Sequence, residues 1–220
     1  MTIKITENPM VIFDLDDTLF PEIEFLKSAF KEISTYVFEK TGFDVYDNML
    51  KVYFQKENVF EWLIDRYKSH IPECDLNFLL NMYRNHVPTL KLVKETSGFL
   101  EKLHYRKIKM GLITDGRSTS QRNKLRALGI EYYFSDIIIS EEFGSEKPNA
   151  NNYLFFEKKN PGHTFYFIGD NTSKDFIIPA ELGWKMICVK DNGSNIHKQD
   201  LDPSIKDIKL ISSFDEIRIY

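Results

Sequence analysis

The chain has 220 residues, 42% of them hydrophobic and 28% charged, and its formal net charge is -4. This composition is typical of a soluble globular protein, and its slight acidity excludes an overall positive field that would attract nucleic acid or anionic lipid. No stretch approaches the ~18 consecutive apolar residues of a membrane span, and the N-terminus lacks the apolar segment of a signal peptide. We therefore expect a cytoplasmic protein without nucleic-acid or membrane partners. Cys74 and Cys188 are expected to be reduced thiols, although a single disulfide between them is possible.

Six short apolar runs predict the strands of a parallel sheet. They lie at residues 10–15 (MVIFDL), 109–114 (KMGLIT), 136–140 (DIIIS), 164–169 (TFYFIG), 185–190 (KMICVK) and 208–212 (IKLIS). Most of the runs are continuously hydrophobic, which is typical of strands that helices cover on both faces. Their alternation with amphipathic stretches predicts an α/β fold.

Residues 21–90 interrupt this alternation and predict an all-helical insert. Apolar residues recur at helical spacing from Phe25 to Val37. Further helical segments of the insert are predicted near 46–56, 58–69 and 75–86, and a helix at 91–104 is predicted to return the chain to the second strand. The many aromatic residues of the insert are expected to form its own core rather than a surface that stacks on a ligand. We predict two domains, a core of residues 1–20 and 91–220 and a helical domain of residues 21–90.

Polar clusters follow four of the predicted elements. They are DLDDT at 14–18, TDG at 114–116, SEKPN at 145–149 and GDNTSKD at 169–175. Each cluster alone could be a solvent-exposed turn or the start of a helix. Because ligands bind beyond the carboxyl ends of strands in open α/β sheets, the four clusters are predicted to converge on one pocket.

The predicted pocket combines groups that suit phosphoryl transfer. It would place one lysine, Lys147, beside four carboxylates: Asp14, Asp16, Asp170 and Asp175. So much negative charge requires a cation, and Mg²⁺ prefers oxygen ligands while it keeps positions for water and substrate phosphate. Thr114 and nearby backbone N–H groups could bind phosphate oxygens, and a carboxylate could act as the nucleophile.

With these motifs the sequence resembles the haloacid dehalogenase-like hydrolase superfamily, most of whose members are Mg²⁺-dependent phosphatases. The resemblance rests on DLDDT, the Thr114 of LITDG, the Lys147 of SEKPN, and GDNTSKD. It implies a Rossmann-like core with three α/β/α layers, in which the helical insert is a cap domain. It also implies a small phosphorylated metabolite as substrate, such as a sugar phosphate or a nucleoside monophosphate, which is hydrolysed through an aspartyl-phosphate.

The resemblance implies a role for each matched aspartate. Asp14 would be the nucleophile, and Asp16 would protonate the leaving oxygen and then activate water. Mg²⁺ would be bound by the carboxylates of Asp14 and Asp170 and by the backbone carbonyl of Asp16. Asp175 and Asn171 would not bind the metal directly but would orient the groups that surround it.

The phosphate group would be bound by Thr114, Asp115 and Lys147, and Lys147 would also offset charge on the nucleophile. The position of Asp115 is often Asn in this superfamily. A carboxylate beside phosphate is unfavourable unless it points away or contacts a hydroxyl or amine of the substrate. Asp17 is expected to be structural.

Three functional hypotheses remain open. They are a phosphatase, a phosphosugar mutase that returns the phosphoryl group to its substrate, and a non-catalytic binding module on the same scaffold. Members that remove halide from carbon generally lack an aspartate at the position of Asp16, so its presence favours phosphate esters. Charged residues of the insert are candidates for substrate specificity, although such residues usually face solvent: Glu22, Lys56, Arg66 and Arg84.

Overall fold

A parallel β-sheet forms the centre of the protein in a computed structural model that describes residues 3–5, 8–200 and 202–219. In chain order the strands are β1 (Ile3–Ile5), β2 (Pro9–Phe13), β3 (Lys109–Thr114), β4 (Asp136–Ile139), β5 (Thr164–Gly169), β6 (Lys185–Val189), β7 (Ile208–Ile211) and β8 (Ile217–Ile219). The central sheet has six parallel strands in the order β4-β3-β2-β5-β6-β7. These are the six predicted strands, which are thereby confirmed. The pair β1 and β8 forms a separate two-stranded sheet, which was not predicted because such short strands show no periodic pattern.

Nine α-helices occur in the described part of the chain. They are α1 (Glu22–Thr41), α2 (Tyr46–Phe54), α3 (Val59–Tyr67), α4 (Leu76–Asn85), α5 (Lys94–Tyr105), α6 (Ser118–Leu128), α7 (Ser140–Phe143), α8 (Ala150–Lys159) and α9 (Ile177–Glu181). Helix α1 begins directly after Pro21 and ends before Gly42, whose φ of 78° is the left-handed conformation that glycine adopts at low cost. The side chains of Asn58 and Asp75 accept N–H hydrogen bonds at the starts of α3 and α4.

Helices cover both faces of the central sheet. Val11 and Phe13 of β2 pack into one apolar core together with residues of α5 and α6. Met10 and Ile12, which point to the opposite face, pack into a second core with Phe156 of α8. The result is a Rossmann-like α/β/α arrangement with three layers, as predicted.

Helices α1 to α4 share a third apolar core. Each helix contributes a buried residue: Ile33 from α1, Met49 from α2, Leu63 from α3 and Leu79 from α4. Aromatic side chains such as Phe30 pack within this cluster, which supports the expectation that they serve as a core. The division of the chain into two domains stays a prediction.

The structure bears on the predictions about the cysteines and about membrane spans. Cys74 and Cys188 are buried free thiols. None of the helices within the described ranges is long and apolar enough to cross a bilayer. The cytoplasmic location and the lack of nucleic-acid and membrane partners stay predictions.

Candidate active site at the ends of three central strands

The predicted polar clusters meet at the carboxyl ends of β2, β3 and β5. Asp14 directly follows β2, and its backbone N–H donates to the carbonyl oxygen of Ile168 at 2.9 Å. Thr114 is the last residue of β3, and Asp170 directly follows β5. Because β2 lies between β3 and β5 in the sheet, these residues come together although they are far apart in sequence.

A cavity of about 120 Å³ lies between these strand ends. It is lined by Asp14, Asp16, Asp17, Glu22, Thr114, Asp115, Lys147, Asp170, Asn171, Lys174 and His197. Every site residue predicted from the four polar clusters lines this cavity except Asp175, which is fully buried and bound to Lys147. The structure therefore brings together the site residues that these clusters predicted.

Lys147 is the cation nearest to the proposed nucleophile. Its Nζ lies 2.7 Å from Asp14 Oδ1 and 2.7 Å from Asp175 Oδ1, and all three side chains are buried. Burial raises the pKa of Asp14 to about 7, although the charge of Lys147 opposes that rise. Burial also acts to lower the pKa of Lys147, but Asp14 and Asp175 outweigh it and hold that pKa well above its usual range. The lysine is thus a fixed positive charge at neutral pH.

Asp170 is a buried carboxyl group close to those of Asp14 and Asp175. Burial raises its pKa to about 9, and the charges of Asp14 and Asp175 contribute to the rise. Its Oδ1 accepts a hydrogen bond from the Thr18 hydroxyl at 3.1 Å, and its Oδ2 accepts one from the Asn195 amide at 3.0 Å. The Asp170 carboxylate therefore has neutral donors and no lysine among its hydrogen-bond partners in the described residues.

The aspartates form a site that suits a hard divalent cation. Carboxylate oxygens of Asp14, Asp170 and Asp175 lie within 4.8 Å of one another. Asp175 is already engaged, because its Oδ1 contacts Lys147 and its Oδ2 accepts the backbone N–H groups of Asp170 (3.2 Å) and Asn171 (3.0 Å). Asp14 and Asp170 are thus the two carboxylates with capacity to hold a cation. A cation between them would offset the unfavourable burial of like charges that raises both pKa values.

Two residues of α6 that the sequence did not single out bind the Asp16 carboxylate. Lys124 Nζ lies 2.7 Å from Asp16 Oδ1 and 2.8 Å from Oδ2. Gln121 Nε2 donates to Asp16 Oδ2 at 2.9 Å and also contacts Thr114 Oγ1 at 2.6 Å. A signal for them existed in the sequence. Polar residues three positions apart occupy the buried face of α6, next to Leu125, where apolar residues are expected.

Asp115 and Asp17 connect segments of the site. Asp115 Oδ1 accepts the backbone N–H of Lys147 at 2.9 Å, and its Oδ2 lies 3.2 Å from Lys174 Nζ. Both of its oxygens therefore have donors from the protein, and its role in binding phosphate stays a prediction. Asp17 adopts a positive φ of 53° and accepts the backbone N–H groups of Glu22 and Ile196, which supports a structural role.

The four candidates for substrate specificity in the helical insert differ in whether they line the cavity. Only Glu22 lines the cavity; Lys56, Arg66 and Arg84 are not among the described residues that line it. Arg66 instead lies over the ring of Trp62, with its guanidinium carbon 4.7 Å from the ring centroid. Charged residues on amphipathic helices mostly face solvent, and a role of these three residues in specificity stays a prediction.

The cavity also includes two cationic or titratable side chains that the sequence did not point to. Lys174 lies within the GDNTSKD motif, and His197 lies in the segment after β6. Neither position follows a periodic pattern, and only the path of the chain after β5 and β6 brings them to the cavity.

Comparisons with known proteins identify one family to which this chain is similar. The family model described as haloacid dehalogenase-like hydrolase matches residues 11–189. A glyceraldehyde 3-phosphate phosphatase of Methanocaldococcus jannaschii is 30% identical over 191 residues, which cover 82% of this chain and 83% of that protein. The pyrimidine 5'-nucleotidase YjjG of Escherichia coli is 29% identical over 112 residues, 50% of this chain and 48% of that protein.

Solved structures show the same fold. The crystal structure of the HAD-hydrolase YfnB from Bacillus subtilis, bound to magnesium, matches with a TM-score of 0.61 at 17% identity. The match covers 96% of this chain and 97% of that one. At this identity the likeness concerns the fold.

Proposed function

The chain belongs to the haloacid dehalogenase-like hydrolases, and on that basis we propose that it is a Mg²⁺-dependent phosphatase of small sugar phosphates. A three-carbon ester such as glyceraldehyde 3-phosphate is the first candidate substrate. The name of the Methanocaldococcus relative supports this choice, as does a cavity of only about 120 Å³.

The proposal rests chiefly on one contact in the site. Lys147 Nζ lies 2.7 Å from Asp14 Oδ1 at the end of β2, within a cluster of carboxylates that suits a divalent cation. A buried carboxylate beside a fixed positive charge can attack phosphorus. The lysine offsets the negative charges of the carboxylate and of the phosphate, which would otherwise repel each other. Mg²⁺, held by Asp14 and Asp170 and by the backbone carbonyl of Asp16, would supply further charge neutralisation on the phosphate oxygens.

The reaction then proceeds in two steps on the side chains of the protein. An Asp14 oxygen forms a bond to phosphorus while the bond from phosphorus to the sugar oxygen breaks, and Asp16 gives that oxygen a proton. In the second step the Asp16 carboxylate takes a proton from water, whose oxygen attacks phosphorus and releases the Asp14 carboxylate and inorganic phosphate. Thr114 and Lys147 bind phosphoryl oxygens throughout, while Asp175 and Asn171 hold the surrounding groups in place.

We infer that the helices α1 to α4 act as a cap domain. They share an apolar core of their own, and Glu22 at the start of α1 lines the cavity. A cap in this position would exclude water from the aspartyl-phosphate and contact the leaving group. The proposed domain bounds are 21–90 for the cap and 1–20 with 91–220 for the core.

A pyrimidine nucleoside monophosphate is the second candidate substrate. The named nucleotidase relative favours it, although that relative matches only 50% of this chain. A nucleotide requires more space than the cavity offers in the described arrangement, so the cap would have to move outward.

Phosphate release from a panel of esters tests the proposal. Purified protein with Mg²⁺ is expected to hydrolyse glyceraldehyde 3-phosphate faster than uridine monophosphate, and EDTA should abolish both activities. Formation of an isomeric sugar phosphate without release of inorganic phosphate would identify a mutase instead. A lack of turnover on the whole panel would favour the non-catalytic binding module.

A further inference from the structure

A buried lysine connects the Asp16 carboxylate to helix α1. Lys124 is only 3% exposed, and its Nζ contacts both oxygens of Asp16. The same Nζ lies 3.8 Å from Glu22 Oε1 and 4.4 Å from the centroid of the Phe25 ring. Glu22 and Phe25 belong to α1, whereas Lys124 belongs to α6.

Burial of this lysine requires its partners. An ammonium group without compensating contacts is costly to bury, so a lysine at this position is stable because carboxylates and an aromatic face surround it. Two carboxylates share the one cation, and it lies closer to Asp16 than to Glu22. The contacts of Lys124 are therefore directed chiefly at Asp16.

Gln121 completes the set of contacts that fixes the Asp16 carboxylate. Its Nε2 donates to Asp16 Oδ2 at 2.9 Å and lies 2.6 Å from Thr114 Oγ1. The carboxylate thus has a defined place relative to the threonine that is proposed to bind phosphate. A proton donor must lie within hydrogen-bond reach of the leaving oxygen, so that placement matters for the reaction.

We propose that Lys124 is a positioning residue, which holds the Asp16 side chain where it can protonate the leaving oxygen and links that position to helix α1. This inference rests on the proposed phosphatase function. Without Lys124, Asp16 would lose two hydrogen bonds and its nearest positive charge, and Glu22 would repel it. The carboxylate would then leave the place that serves proton transfer, while Asp14, Lys147 and the metal-binding carboxylates would keep their contacts.

The dependence on the leaving group tests this role. Glyceraldehyde 3-phosphate is an alkyl ester whose leaving oxygen needs a proton, whereas 4-nitrophenolate leaves from 4-nitrophenyl phosphate without one. In Lys124→Met and Lys124→Gln we expect kcat/KM for the alkyl ester to fall at least about tenfold more than for the aryl ester, since general acid catalysis contributes about 10²–10⁴-fold. Lys124→Arg should restore much of the alkyl activity, because a guanidinium can contact both Asp16 oxygens.

Arg122 provides the matched control on the same helix. Its guanidinium contacts Glu131 and Glu142 and not Asp16, so Arg122→Met should leave the ratio of alkyl to aryl activity unchanged. All rates are divided by the concentration of folded protein, which is taken from the fraction that unfolds cooperatively in a thermal melt. Equal losses on the two esters in Lys124→Met and Lys124→Gln, or no loss in either, would overturn the inference. Failure of the wild-type protein to hydrolyse either ester would overturn the proposed function and the inference with it.

Discussion

Gly169 and Asp175 approach each other so closely that a side chain at position 169 would require Asp175 to move. A Cβ atom on Gly169 would lie 2.3 Å from Asp175 Oδ2. That oxygen accepts the backbone N–H groups of Asp170 and Asn171, and the other oxygen of the carboxylate contacts Lys147. The end of β5 thus sets the position of Asp175, and through it the position of the lysine beside Asp14.

This relationship predicts the effect of a single methyl group. Gly169→Ala should displace Asp175 and destabilise the protein by about 1–3 kcal/mol, the usual range for overpacking, and phosphatase activity should fall with it. Gly98→Ala in α5 is the control, because a Cβ there meets nothing within 4 Å; it should be neutral or stabilise by up to about 1 kcal/mol. Thermal melts and phosphate release measure both effects. Equal stability of the Gly169 variant and wild type would contradict the packing argument.

Asp14→Asn tests the nucleophile. An amide nitrogen or oxygen cannot replace the carboxylate in attack on phosphorus, so turnover should fall to background on alkyl and aryl esters alike. Lys147 keeps its contact with Asp175, so the thermal melt should remain cooperative. The activity assay and the melt are read on the same preparation, and near-normal turnover would show that another group attacks.

Asp170→Asn tests the metal site. The change keeps the shape of the side chain but removes a negative charge, so the Mg²⁺ concentration for half-maximal activity should rise and activity at low Mg²⁺ should fall. Asp207→Asn, a change at an exposed carboxylate outside the cavity, should leave the metal titration unchanged. A titration of the Asp170 variant that overlays the wild-type curve would rule out its role as a metal ligand.

His86 predicts a dependence of stability on pH. Its Nδ1 contacts the carbonyl oxygen of Tyr83 at 2.8 Å and its ring packs on Phe25, with centroids 4.5 Å apart. Burial lowers the pKa of His86 below its usual 6.5, although the bond to Tyr83 opposes this. At His86 the unfolded chain therefore binds more protons than the folded protein as pH falls through about 6.5, so this residue by itself lowers stability there, whereas the raised pKa values of Asp14 and Asp170 act in the opposite direction.

The measurement compares melting temperatures from about pH 7.5 to 5.5, a range that spans this titration. The melting temperature of His86→Phe relative to the wild type should rise as pH falls, because the variant lacks the group that the folded protein keeps neutral. His70→Phe is the control, because the His70 side chain is exposed, and its melting temperature should follow the pH dependence of the wild type. Identical slopes for His86→Phe and wild type would contradict the role of His86.

The sequence by itself determined the sheet and the residues that meet at its edge. Continuous apolar runs show where the six central strands lie, and the polar clusters that follow β2, β3 and β5 belong to one site because parallel strands carry their ends to the same edge. Asp14, Thr114, Lys147 and Asp170 were predictable for this reason, since each lies in a strand-end cluster or in a recognisable motif.

Only the tertiary structure decided the partners of those residues. Lys124 and Gln121 reach Asp16 from α6, and Asn195 reaches Asp170 from the segment after β6. Lys56, Arg66 and Arg84 looked equally suitable in the sequence, yet Glu22 is the candidate that lines the cavity. Periodicity identifies the buried face of a helix but not the residue it meets, because that contact depends on how separate elements pack against each other in space.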